Sequence, residues 1–163
     1  IVQRELSGLL LQLRAAGVEE ARALPWMTAP RAEDLQQAEA LLNELGARAE
    51  TARRMAAMPV HPRLARVLLE AERRGVTQAA ARVAALLSSG QRAKGVDLIH
   101  AAERALEGNA ERIARQLERQ VKGGRQREDW ERPLAEALLA GYPDRVAKRR
   151  RADEYEIAGG VAA

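Results

Sequence analysis

The 163-residue sequence has no cysteine and no phenylalanine, two histidines and three lysines, and aromatics make up 2% of it. Without thiols, disulfides and thiolate-held metals are excluded. With so few aromatics, the 47% of hydrophobic residues must build a core mainly from Ala, Leu and Val. That supply favours close-packed helices over sheets, which draw on aromatic and β-branched side chains. No apolar run reaches the roughly 20 residues of a membrane helix, and no signal-peptide pattern opens the chain. We therefore expect a cytoplasmic protein with no membrane partner. Neither His61 nor His100 sits in a metal-ligand pattern. No glycine is followed by lysine, which removes the G-x-x-x-x-G-K-[ST] phosphate loop, and neither H-E-x-x-H nor G-x-S-x-G occurs. We expect no catalytic, cofactor-binding or metal-binding residue in this chain.

What is abundant is arginine. Lys94, Lys122 and Lys148 are the lysines among 27 basic residues, so 24 are arginine; the net charge is +4. Guanidinium forks match phosphate geometry, yet the same bias follows from the codon usage of a GC-rich genome. Charge alone permits a nucleic-acid partner and does not require one. The run Lys148, Arg149, Arg150 and Arg151, with Arg145 before it, is the densest cluster. On a helix Arg145, Lys148 and Arg149 would share a face, as a phosphate-contacting wall or as a solvated helix end.

Helical periodicity runs through most of the chain. Val2, Leu6, Leu9, Leu10 and Leu13 recur at helical spacing up to Gly17, a C-cap residue. P-W-M-T-A-P cannot continue a helix. Glu33 and Asp34 suit a first turn before Leu35, Ala38, Leu41, Leu42 and Leu45, which Gly46 closes. Pro59 and Pro62 then bracket His61. Each proline lacks an N–H and pushes its predecessor out of the α region, so M-P-V-H-P reads as a tight, mostly extended elbow. A helix restarts with Leu64, Val67, Leu68 and Ala71. Gly75 ends it, and Thr77 reads as the N-cap of the next. A long pattern from Val96 through Leu98, Ala101, Ala105, Ile113 and Leu117 is interrupted at Gly108-Asn109. Leu134, Ala137, Leu138 and Leu139 form another apolar patch, Tyr142-Pro143-Asp144 a corner, and Y-E-I the strand-like residues near the end.

Several of these stretches, in this order, resemble one family. I-V-Q-R-E-L-S-G-L-L-L-Q-L-R-A-A-G-V, L-P-W-M-T-A-P and A-E-A-L-L-N-E-L-G-A are similar to the passage from the second motor domain into the winged helix of bacterial DEAH-type ATP-dependent helicases. T-A-R-R-M-A-A-M-P-V-H-P-R-L-A-R-V-L-L-E-A resembles the family's join between winged helix and helical bundle. A-L-L-A-G-Y-P-D-R-V-A-K-R-R resembles the close of that bundle, and Y-E-I-A-G-G-V-A the first strand of a β-rich C-terminal part. The resemblance implies a mainly α chain with a connector over 1–27, a winged-helix-like unit over 28–72, a helical-bundle (ratchet-like) domain over 73–151 and the start of a β region over 152–163.

It further implies an accessory fragment of an ATP-dependent RNA helicase. The motor domains, with ATP and Mg, would precede Ile1 in the same polypeptide, which opens inside an amphipathic pattern as a piece cut from something longer. Single-stranded RNA or DNA would be the partner, and Pro59, His61, Pro62 and Arg63 would form a structural junction. The segment between L-G-A and R-R-M-A and the joins near Gly90-Gln91 and Arg151-Ala152 are shorter than in the family, which implies either missing residues there or a trimmed wing and loops. Two other readings stand beside this one. A helix-turn-helix binder would use Gln36, Gln37 and Asn43 as base-reading side chains. An all-α adaptor would use its arginines only to solvate helix faces.

Overall fold

The computed structural model describes residues 5–18, 20–90, 98–103, 105–123, 127–151 and 154–157. Val2, Val96, the join at Gln91 and the tail after Ile157 lie outside them. Eight helices follow in chain order: α1 (Ser7–Ala15), α2 (Ala32–Glu44), α3 (Ala49–Ala56), α4 (Pro62–Arg74), α5 (Thr77–Ser88), α6 (Leu98–Glu103), α7 (Gly108–Gln120) and α8 (Glu131–Gly141). Short 3-10 turns occupy Ala21–Ala23 and Pro143–Arg145, and strands β1 (Ala147–Arg151) and β2 (Glu154–Ile157) form an antiparallel hairpin. The chain is thus mainly helical, as its composition predicts.

Helix ends obey local chemistry. Gly75 sits at φ 71°, a left-handed conformation that costs a side chain about 1 kcal/mol or more. This lets the N–H groups of Gly75 and Val76 turn back onto Glu72 O and Ala71 O at 3.3 and 3.0 Å. The tight turn also changes how α5 begins. Val76, fully buried, is its N-cap residue, and Thr77 is the first helical residue, its Oγ1 buried without a hydrogen-bond partner among the described residues. Thr77 is therefore not the N-cap expected from sequence, because α5 starts one residue earlier and Val76, held by the Gly75 turn, takes the cap position. In α2, Arg31 forks onto Asp34 with two bonds of 2.9 Å, which ties the acidic first turn to the residue before the helix.

One hydrophobic cluster runs through the whole structure. α4 lies against both α5 and α8, α5 against α7, and α1 against α2 and α3. Leu42, Leu45, Met55, Val67, Leu68, Val76, Leu117 and Leu134 are sealed from solvent at its centre. Burial of each leucine contributes roughly 1.5–3 kcal/mol. Alanine does the rest: Ala79, Ala80, Ala81, Ala84 and Ala85 of α5 are all buried, which brings backbones close together.

Three apolar positions depart from expectation. In α1 the buried stripe is Ser7, Leu10 and Leu11, whereas Leu9 is exposed, because the helix starts at Ser7 and turns that face toward α2 and α3. Leu139 in α8 is likewise exposed, and Ala105 lies in the non-helical link between α6 and α7.

Candidate functional site at the helix junction

The elbow is built from its prolines outward. α3 ends at Ala56, and Met58 tucks into the core. Pro62 occupies the first position of α4, where its missing N–H costs nothing. His61 takes an extended backbone (φ −54°, ψ 142°), and its Nδ1 accepts the N–H of Arg63 at 3.2 Å, so the imidazole is the N-cap of α4. The other ring nitrogen meets Glu5 Oε2 at 2.6 Å, which ties the elbow to the start of α1. Burial alone would raise the Glu5 carboxyl. Hydrogen bonding to Ser7 and the nearby His61 outweigh it and hold Glu5 below its ordinary value.

Arg63 reaches the other way. Its guanidinium forks onto Asp144 at 2.6 and 2.9 Å and donates to the carbonyl of Gly141 at 3.1 Å. It also lies 5.4 Å from the centre of the Tyr142 ring, with Arg145 at 5.6 Å. The Arg63 side chain is only 14% exposed, against 43% for Asp144. The hydrogen bonds from Arg63 pull the Asp144 carboxyl down, while burial pushes the Tyr142 phenol up despite its two arginines. Gly141 makes this approach possible. A Cβ there would stand 2.5 Å from both Arg63 O and Val67 Cγ2.

A second network runs along α4. Glu70, buried, pairs with Arg73 at 3.3 Å and Arg74 at 2.9 Å, and Arg74 continues to Glu136 of α8. Glu72 accepts from Arg54 of α3 at 2.7 Å and from the Lys122 N–H at 3.0 Å. α4 is thus clamped to α3, α8 and the end of α7.

The structure brings His61 and Arg63 into one network, with Pro59 and Pro62 shaping the turn between them. Glu5, Gly141, Tyr142 and Asp144 belong to that network and were not named as partners by sequence. The Y-P-D corner was visible, but its partner lies 81 residues away in the chain.

The basic run is placed differently from the helical face considered above. Arg145 ends a 3-10 turn, and Ala147–Arg151 is a strand with Lys148 opposite Glu156, Arg149 opposite Tyr155 and Arg151 opposite Glu154, broken by a register shift between Arg149 and Arg151. Lys148 and Arg149 therefore do not share a helical face with Arg145. α8 stops at Gly141, and A-K-R-R-R has no apolar stripe to pack a new helix, so its backbone groups pair with E-Y-E-I instead. Arg145 borders an open groove of about 450 Å³ whose floor includes Leu138, Leu139, Tyr142 and Val146. Among the described residues no group of His, Asp and Glu is arranged to hold a metal, and no helix is long and apolar enough to cross a membrane.

The chain with this helical core and proline elbow is homologous to a region of a DEAH-type RNA helicase. The homologue is HrpB of Escherichia coli K12, an ATP-dependent RNA helicase: 34% of 171 aligned residues are identical, covering all of this chain and 21% of HrpB. E. coli HrpA, also an ATP-dependent RNA helicase, is 32% identical over 99 residues, 54% of this chain and 8% of HrpA. Two crystal structures of E. coli HrpB, described as a DExH-box NTPase and a DEAH/RHA helicase, superpose with TM-scores of 0.82 and 0.83. Their identities are 31% and 32%, covering 97% and 100% of this chain and 20% and 21% of theirs. No protein-family profile matches the chain. The chain spans about a fifth of the length of HrpB.

Proposed function

We propose that this chain is an accessory region of an ATP-dependent RNA helicase, coupling motor domains in the same polypeptide to a channel for single-stranded RNA or DNA. The observation that carries the reading is collinear homology over the whole chain to HrpB, with the same fold. In this reading residues 28–72 act as the winged-helix-like unit, 73–151 as the ratchet-like bundle and 152–163 as the start of the β region. ATP and Mg belong to the motor domains, and this segment hydrolyses nothing.

The junction supports the coupling part of the reading. Glu5, His61, Arg63 and Asp144 link the first described residues to the turn after α8 through two carboxylate contacts and the backbone bond from Arg63 to His61, so displacement at one end reaches the other through directional contacts. Arg145, Lys148, Arg149, Arg150 and Arg151 are the proposed strand contacts. In this reading Arg145, at the rim of a groove with an apolar floor, meets a phosphate while bases lie on the leucines. The reading is tested first by the open reading frame upstream of Ile1. A G-K-[ST] loop and a D-E-x-H box in that frame are the expected result, and a frame without them overturns it.

A further inference from the structure

A second concentration of arginine lies on another part of the molecule, where α1 ends and α3 begins. Arg14, Arg48 and Arg53, with Asn43 and the backbone of Ala47 and Ala49, enclose a cleft of about 480 Å³. Among the described residues no carboxylate lines it. Arg53 makes a loose, exposed contact of 3.5 Å with Glu50, and Arg14 spends one N–H on the carbonyl of Ala47 at 3.3 Å, which fixes its guanidinium at the cleft wall. Glu39, whose charge favours the Arg14 cation, lines with Glu20 a neighbouring cavity that Arg14 and Asn43 also border.

Stability does not account for this arrangement. Arg48 stands at the N-cap of α3, where the helix dipole repels a cation, and it also repels Arg14, which is itself half-buried. Desolvation and the Arg48 charge both act against the Arg14 cation. Ala49, in the lining, adopts φ 44°, a conformation disfavoured for any residue with a Cβ. Three cations converging on a cleft at the positive end of a helix, with only a loose contact to Glu50 and the charge of Glu39 against them, form an arrangement that an oxyanion would relieve.

We propose that this cleft is a phosphate-backbone site for single-stranded RNA, separate from the Arg145 face. The proposal extends the accessory-region reading and rests on it. A nucleic-acid backbone fits better than an acidic peptide segment. It presents successive oxyanions to cations spread over α1, the 46–48 turn and α3, and guanidinium forks donate paired bonds to phosphate oxygens. Such contacts position a strand without reading its sequence.

The test is the affinity of the 163-residue chain for a labelled 20-nucleotide oligouridylate across a salt series. The variants are Arg48→Gln/Arg53→Gln, both exposed, and Arg14→Gln. Arg115→Gln, an exposed side chain on α7, controls for lost charge. Each lost phosphate contact is expected to flatten the log-affinity against log-salt slope by about 0.7, so the double variant loses about 1.4 and the control stays with wild type. Circular dichroism of each variant separates a lost contact from a lost fold, and the double variant decides if Arg14→Gln unfolds. Slopes unchanged in the double variant but flattened in an Arg145→Gln/Lys148→Gln/Arg149→Gln variant overturn the cleft and leave the accessory-region reading standing. Absence of any RNA binding by wild type overturns both. Displacement of RNA by poly-aspartate, with wild-type slopes in the double variant, shows the cleft to be a protein-docking site and overturns the proposal.

Discussion

Replacing Gly141 by alanine sets two effects against each other, and the structure says which wins. In a helix interior alanine is better than glycine by up to about 1 kcal/mol. At Gly141, however, the added methyl falls 2.5 Å from the Arg63 carbonyl oxygen and 2.5 Å from Val67 Cγ2, about 1 Å inside van der Waals contact. Val67 is fully buried and the other obstacle is main chain, so neither can swing aside. α4 and α8 must move apart, which loosens the packing of Leu64, Val67, Leu134 and Ala137 and draws Gly141 O away from Arg63. Overpacking of this kind costs about 1–3 kcal/mol, and the strained hydrogen bond adds about 1. After the helix-propensity gain is subtracted, we expect a net loss of about 2 kcal/mol, or a fall of roughly 4–8 °C in Tm for a chain of this size. Gly8, inside α1, is the internal control, because a Cβ there meets nothing within 4 Å. Gly8→Ala should stabilise the chain by about 0.5–1 kcal/mol. Thermal and urea denaturation of both variants measure the contrast. If Gly141→Ala stabilises the chain as Gly8→Ala does, the α4–α8 contact is not the tight seam described.

Replacing Pro59 and Pro62 with alanine frees the elbow and enlarges the unfolded ensemble, and should cost about 1–3 kcal/mol in urea denaturation; an unchanged midpoint would show that the elbow bears no load. His61→Ala removes the N-cap of α4 and should cost about 1 kcal/mol. Ala49→Gly relieves the positive φ and should raise stability by about 0.5–1 kcal/mol, and a loss would contradict the strain. Asp144 and Glu5 both have folded pKa values below their unfolded ones, so each adds stability above about pH 4 that is lost as pH falls through the folded value. Stability followed from pH 7 to pH 3 should decline less steeply in Asp144→Asn/Glu5→Gln than in wild type, and parallel curves would remove the pair from the acid response.

Much of the fold was legible because it is written locally. Gly17, Gly46 and Gly75, the acids of α2 and the spacing of Leu64, Val67, Leu68 and Ala71 act within a turn or two of themselves, and each element appeared where those signals placed it. Thr77 misled because capping preference is weaker than the geometry imposed by the preceding glycine turn. Lys148–Arg151 misled because a short basic run carries no period, and its conformation is decided by the strand it pairs with. The partners at the junction were not legible for another reason. Gly141 ends an apolar patch and reads as a helix stop, while its contact with Arg63 spans 78 residues and exists only once α4 and α8 have packed. The arginines of the second cleft are likewise scattered over three elements, and no local motif unites them.

The measurement that bears most directly on the proposed function is RNA-stimulated ATP hydrolysis by the full polypeptide that carries this segment. It should be made at saturating ATP for wild type and the Arg145→Gln/Lys148→Gln/Arg149→Gln variant. If these residues contact the strand while the motor domains perform the chemistry, the rate without RNA stays at the wild-type level. The RNA concentration for half-maximal stimulation rises several-fold, and its salt dependence flattens by up to about 2 units of slope. Identical RNA dependence in the two proteins, or a polypeptide whose ATP hydrolysis ignores RNA altogether, would contradict the account.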